Sequence, residues 1–442
     1  MMRSAAVVAA AVLAAAPTAG ALSPPVADPA VPVPSGAAGP VAAMSQRAQC
    51  VVTGLRPGST LADPPMLNLA AAGQFSRGEG QTVAVIDTGV RPGPRLPNVI
   101  GGGDFLSSGD GLTDCDGHGT LVAGIIGGQP GPDGFTGVAP AARLLSIRAT
   151  SPRFAPGATG SDPQEVQARV DIETTARAVV RAADLGATVI VISTATCLAP
   201  DRLDSQPALG AALRYAAIDK DAVIIAAAGD SGTGGCASNP LGGLDQPADP
   251  RNWVGVTSVS VPSWWQPYVL SVGALTSAGQ PAVFTMAGPW VGIAAPGENI
   301  VSLSNGDGGG LADGMPDGRG GMAALSGSGY AAAYVAGTAA LVRSRFPEIP
   351  ADEVVRRLTA TAHNAAQAPS NLVGAGTLDP VGALTWTVSA PQHGVPATVR
   401  LAAPVPPPAV DPTPRTVAFV GSGLLAVATA VVVVRSRRKE QV

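Results

Sequence analysis

The sequence is short of charge, of lysine and of histidine. Charged residues make up 13% of its 442 positions, about half of the roughly 25% usual in a soluble globular chain. Lys220 and Lys439 are the only lysines among 27 basic residues, and the net charge is −4. That balance excludes a nucleic-acid surface. The histidines are His118, His363 and His393, and there are four cysteines. Although Cys115 lies three residues before His118, a closed four-ligand zinc cluster would need carboxylates in unusual number. No metal and no cofactor is expected. Glycine (56) and proline (42) together form about 22% of the chain, short of the roughly 25–30% of low-complexity sequences. A packed core is therefore within reach, and the length allows one large domain or a few ordinary ones.

The two ends speak of location. Residues 1–21 combine Arg3, an apolar run of about 12 residues and small residues ending Ala19-Gly20-Ala21, the pattern of a secretory signal peptide. The run is too short to cross roughly 30 Å of hydrocarbon, and Pro17 interrupts it. Near the other end, residues 417–434 carry no charge and are followed by Arg435, Arg437, Arg438 and Lys439. This reads as a single transmembrane helix with a cytoplasmic basic tail at 435–442. Residues 389–416 hold eight prolines and read as an extended stalk. The expected protein is single-pass in the cell membrane, with its working domain on the extracytoplasmic side. Cys50, Cys115, Cys197 and Cys236 all fall in the exported part, an even number that suits two disulfides in an oxidising compartment. Three pairings are possible.

From residue 82 the chain alternates apolar runs with amphipathic stretches. The runs 82–86, 143–147, 188–193, 222–227 and 268–275 read as strands buried on both faces of a parallel sheet. Between the second and third, Ile172, Ala176, Val179 and Ala183 give one apolar helical face over 171–185, closed by Gly186. Alternating strands and helices imply right-handed crossovers and a doubly wound, mostly parallel α/β sheet with helices on both faces. Sites in such sheets form at the carboxyl ends of the strands.

Asp87 stands at such an end, in VAVIDTGV. An aspartic protease would need two carboxylates sharing a proton in mostly β lobes, and the alternation of strands and helices here is not that architecture. Thirty-one residues on, DCDGHGTLVAGIIG sets His118 between two glycines at the start of an apolar helix. Together these segments resemble the subtilisin-like serine proteases, whose triad runs Asp, His, Ser along the chain. The resemblance covers residues 79 to about 388 and includes 137–148, AVIIAAAGD, APG at 295–297 and AAAYVAGTAALVR. It implies a subtilisin-like fold, Asp87 orienting the imidazole, and His118 as general base toward a serine. The signal peptide, a cysteine-bearing N-terminal extension at 22–78, the peptidase-like domain at 79–388, the stalk and the membrane helix make the chain most similar to the mycosins. Those are membrane-anchored subtilases of type VII secretion systems. The resemblance further implies the pairs Cys50–Cys115 and Cys197–Cys236. As partners it implies peptide or protein substrates or ligands and the components of a secretion membrane complex.

The match breaks at the acyl centre. The subtilase nucleophile lies in Gly-Thr-Ser-x-x-x-Pro-x-Val-Ala-Gly, and here the segment reads GSGYAAAYVAG. Aligned on residues 334–337, Gly329 falls on the nucleophile and Ser328 on the preceding threonine. Ser328 is a substitute only if the chain slips, because one residue near a helix turns a side chain by about 100° and moves it about 1.5 Å. At the oxyanion position the family has Gly-Asn, and here Gly229 is followed by Asp230. An ionised carboxylate accepts hydrogen bonds and cannot donate them to an oxyanion. The expectation is a pseudoprotease retained for binding or assembly; the alternative is an active endopeptidase that processes secreted substrates with Ser328 or an unusual site. Two other segments invite attention. Asp307, Asp313 and Asp317 in the glycine-rich 305–321 lack the spacing of a calcium loop. Trp264 and Trp265 form either a contact patch or a buried pair.

Overall fold

The computed structural model describes residues 22–58, 65–157, 162–203, 206–241, 249–366, 368–388, 422–425 and 427–431. The signal peptide (1–21), the stalk (389–416), the basic tail (435–442) and half of the proposed membrane helix lie outside them. Within 417–434, residues 422–425 and 427–431 are helical. Among the described residues, no helix is long and apolar enough to cross a membrane.

Seven strands form one sheet: β1 Thr82–Asp87, β2 Val99–Asp104, β3 Arg143–Arg148, β4 Val189–Ile192, β5 Val223–Ala227, β6 Val269–Leu275 and β7 Val291–Pro296. Their order across the sheet is β2-β3-β1-β4-β5-β6-β7, and every neighbouring pair is parallel. The five runs read from the sequence are β1, β3, β4, β5 and β6. The two strands missed, β2 and β7, are the two edges. β2 contains three consecutive glycines and β7 ends on a proline, compositions that an edge tolerates and an interior strand does not.

Side-chain alternation divides the core in two. Val83, Val85, Leu144, Val189, Val191, Val223 and Ile225 point to one face. Ala84, Ile86, Leu145, Ile147, Ile190, Ile192, Ile224 and Ala226 point to the other. The first face is covered by α1 (His118–Gly127) and α4 (Ser328–Arg345), the second by α2 (Pro163–Asp184) and α3 (Pro207–Arg214). This is why the strands read as unbroken apolar runs: each side chain enters one of two cores, and each fully buried valine, leucine or isoleucine contributes about 1.5–3 kcal/mol. α2 begins eight residues before the stretch read as helical. Its first turns mix Gln164, Glu165, Gln167 and Arg169 with Val166, Ala168 and Val170, and the start is set by Pro163 at the first helical position and by Asp162. The Asp162 carboxylate accepts from the Gln164 and Glu165 amides at 3.0 and 3.4 Å, as an N-cap does.

β1 lies inside the sheet, between β3 and β4. The chain first builds outward through β2 and β3 and then reverses to β4, so the carboxyl end of β1 is the switch point at which open α/β sheets form their sites. The extension lies along the domain surface. Gly39 donates to the Asp104 carbonyl at 2.9 Å, and Met44–Gln46 pair antiparallel with Phe154–Pro156. Disulfides join Cys50 to Cys115 and Cys197 to Cys236. Trp264 and Trp265 are buried, and the Trp265 indole donates to Gln206 at 3.2 Å. That is the packing alternative. The carboxylates of 305–321 face separate partners: Asp307 pairs with Arg91, Asp313 with Arg56, and Asp317 accepts from the amides of its own turn. Among the described residues, no three His, Cys, Asp or Glu gather as metal ligands would.

Candidate active site

Asp87 ends β1 fully buried, and His118 opens α1. The His118 Nδ1 lies 2.9 and 2.8 Å from the two Asp87 carboxylate oxygens. What brings them together is close backbone approach. A Cβ on Gly119 would collide with the Gly89 carbonyl and lie 3.2 Å from the Asp87 Cβ, so only glycine lets the first turn of α1 press against the end of β1. Gly117, with φ at 82°, supplies the left-handed turn into the helix.

Asp114 holds that turn in place. Its Oδ1 accepts from the Thr88 hydroxyl (2.9 Å) and from the Asp116 and Gly117 amides (3.1 and 2.8 Å). Its Oδ2 accepts from the Thr120 amide and hydroxyl (2.9 and 2.6 Å). Thr88 in turn accepts from the Gly119 amide at 2.9 Å. Two side chains thus satisfy the amides that a helix start leaves open. Ser193, just past β4, donates its hydroxyl to the Asp87 Oδ2, and the Thr88 amide donates to Oδ1 at 2.6 Å.

The pair is charged against its surroundings. Burial by itself pushes the Asp87 carboxyl up, but the imidazolium of His118 and the donors Ser193 and Thr88 hold it below the usual carboxylate range. Burial likewise pushes His118 down, and Asp87, then Asp114 and Asp230, raise it above the ordinary imidazole value. The signs set a pH window. The raised His118 contributes stability that is complete below the ordinary imidazole value of about 6.5 and lost as pH rises through its folded value. The lowered Asp87 contributes stability that is lost as pH falls through its own. The His118 ring signal, followed by NMR against pH, is therefore expected to titrate above 6.5. In Asp87→Asn it is expected to titrate lower than in the native protein; an unchanged midpoint would remove Asp87 as the cause.

Opposite the ring stands the start of α4. A Cβ built on Gly329 would lie 3.1 and 3.2 Å from the His118 Cε1 and Nε2, and it would collide with the Ser193 carbonyl oxygen. The position facing the imidazole nitrogen thus carries no side chain. Ser328 is buried and turned elsewhere. Its Oγ accepts from the Gly229 amide at 3.2 Å, and its own amide donates to the Asp230 Oδ1 at 2.9 Å. Among the described residues, no hydrogen bond joins Ser328 to His118. Burial raises the Asp230 carboxyl above the usual range, against the opposing pull of the Ser328 donors and the His118 charge. The Tyr330 ring packs at 4.9 Å from His118, its phenol pushed far above its usual range by burial and by Asp87, Asp114 and Asp230.

The structure therefore gathers Asp87, His118, Gly329, Ser328 and Asp230 at the carboxyl ends of β1, β4 and β5. Ser193, Thr88, Asp114 and Tyr330 were missed as site residues. For Ser193 the only signal is a polar residue after an apolar run, which an ordinary turn residue gives equally.

Residues 78–376, more than half the chain, match the subtilase family model. The chain belongs to the subtilase family. Its similarity to particular subtilases runs along nearly the whole sequence. Mycosin-3 of Mycobacterium tuberculosis is 62% identical over 95% of this chain and 94% of its own length. The solved MycP3 protease from the type VII (ESX-3) secretion system is 63% identical, with a TM-score of 0.81 over 83% of this chain and all of that one. A chain of the intact ESX-5 inner membrane complex is 44% identical, with a TM-score of 0.81 over 93% of this chain and 99% of that one.

Proposed function

We propose that the protein is a mycosin-like subtilase homologue of a type VII secretion membrane complex, impaired in proteolysis and serving by binding and structure. Gly329 carries this reading: the position at the start of α4 that faces the His118 Nε2 has no side chain. In subtilisin, loss of the serine costs about 10⁶ in turnover. Asp230 at the oxyanion position adds a second departure at the same step, since an ionised carboxylate there repels developing negative charge. The likeness to MycP3 and to a chain of the ESX-5 inner membrane complex supports the assembly role. The apolar run 417–434, the stalk and the basic tail support anchorage from the extracytoplasmic side, by a single span, after removal of residues 1–21.

The alternative, an endopeptidase using Ser328, requires the hydroxyl to leave Gly229 and Asp230 and reach His118. A fluorophosphonate serine probe applied to the full-length chain separates the two. No labelling of the native protein is expected. Labelling that disappears in Ser328→Ala would establish a relocated nucleophile and overturn the impaired reading.

A further inference from the structure

Beside the site lies a cleft of about 790 Å³. One wall is the first half of α2, with Gln164, Gln167 and Asp171. The other is formed by the segments that leave β4 and β5, from Ala195 to Arg202 and from Gly232 to Gly235. These segments are continuous with the catalytic centre: Ala195 follows Ser193 by two residues and Gly232 follows Asp230 by two. The Cys197–Cys236 disulfide ties them together. Gly232, Gly234 and Gly235 project no side chains, which leaves the cleft wide enough for several residues of an extended chain.

Its polar character is lopsided. Asp171 is half-buried, and its carboxylate has one hydrogen bond, from the Gln167 side-chain amide at 2.8 Å. The other charged groups on the cleft are Glu165 from α2 and Asp201 and Arg202 from the loop after Leu198. Glu165 is paired with Arg169 at 2.7 Å, and Arg202 with Asp162 at 3.2 Å, both at the exposed rim. Asp201 is exposed and adds a second negative charge. A half-buried carboxylate met only by a neutral amide is poorly compensated, and an ammonium or guanidinium entering the cleft would compensate it.

We propose that this cleft binds an extended peptide segment carrying a cationic side chain, and that Asp171 selects that side chain. The proposal rests on the reading of the protein as a peptide-binding subtilase homologue and names what it binds. It holds whether or not a bound segment is cleaved. Burial pushes the Asp171 carboxyl up to about 6, so its charge, and with it the selectivity, is lost below that pH.

The test uses the full-length chain in detergent and two dye-labelled, end-blocked hexapeptides of alanine. One carries a single central lysine, the other norleucine in its place. Fluorescence anisotropy at pH 7.5 is expected to show at least ten-fold tighter binding of the lysine peptide. The preference is expected to shrink as pH falls through about 6 and to vanish in Asp171→Asn. The pH profile of the native protein needs no variant and so stands even where Asp171→Asn does not fold. Equal binding of the two peptides, or a preference that survives Asp171→Asn, overturns the role of Asp171 and leaves peptide binding intact. Absence of binding by either peptide overturns both.

Discussion

Gly329→Ser combined with Asp230→Asn is expected to react with a fluorophosphonate probe about 10²–10³ times faster than Gly329→Ser alone, the usual worth of one oxyanion donor. On the proposed reading the base is already in place. His118 is oriented through Nδ1 by Asp87, and a Cβ at residue 329 would sit 3.2 Å from Nε2. A serine hydroxyl one bond further out therefore comes within the 2.6–3.2 Å that an activated nucleophile needs. That Cβ also meets the Ser193 carbonyl, so the start of α4 must move by a fraction of an ångström. Crowding of this kind costs about 1–3 kcal/mol, and Gly329→Ala should show it as a lowered urea midpoint without any gain in labelling. The asparagine amide restores the donor that the Asp230 carboxylate cannot supply. Labelling that requires His118 confirms the geometry. Equal rates for the single and double variants would take Asp230 out of the oxyanion role, and silence of both would mean that α4 does not settle into a competent position.

Much of this centre was legible because it is built from residues whose type carries the chemistry. Asp87 and His118 are polar residues at the ends of apolar runs, and their neighbours Gly117 and Gly119 mark backbone that something must approach closely. Gly329 was legible as a departure, since only the pattern around it made its missing side chain meaningful. Ser193 and Thr88 were not, because a serine or threonine after a strand is most often a turn residue, and nothing in the one-dimensional order says that three strand ends converge. Asp171 was hidden for a different reason. On the helical repeat it sits beside the apolar Ile172 as an ordinary solvated position, and the opposite wall of its cleft comes from a loop that lies 24 to 31 residues downstream. The edge strands β2 and β7 escaped for want of a second neighbour, the condition that makes an interior strand uniformly apolar.

The convergence also explains why the helix starts are so heavily hydrogen-bonded. α1 and α4 both aim their amino ends at the site, where unpaired amides carry partial positive charge. At α1 the Asp114 carboxylate absorbs it, and at α4 Asp230 does so by accepting from the Ser328 amide. Asp230 therefore has two competing uses: capping α4 favours its charged form, and stabilising an oxyanion would need it protonated or replaced. The ring of Tyr330 closes His118 off from one side, which keeps the field of these carboxylates strong.

Replacing both Cys50 and Cys115 by serine is expected to lower the stability of the described domain by about 4 kcal/mol, the constraint that closing a loop of 65 residues places on the unfolded chain. Urea unfolding measured beside the native protein reads it directly. A loss below about 1 kcal/mol would mean that the extension is held by its other contacts alone. Those contacts are real: Val51 donates to the Cys115 carbonyl at 2.9 Å, Thr53 to Asn305 at 3.0 Å, and Arg56 pairs with Asp313. Hydrogen exchange at Val51 and Thr53 should therefore quicken before the sheet opens, since freeing one end of the extension leaves these bonds as a local, separately breakable unit. The His118 titration should stay where it is, because the segment between Cys115 and the ring is fixed by the donors on Asp114 and not by the disulfide. A His118 midpoint that falls with the disulfide would show instead that the extension holds the orienting carboxylate and its base in register.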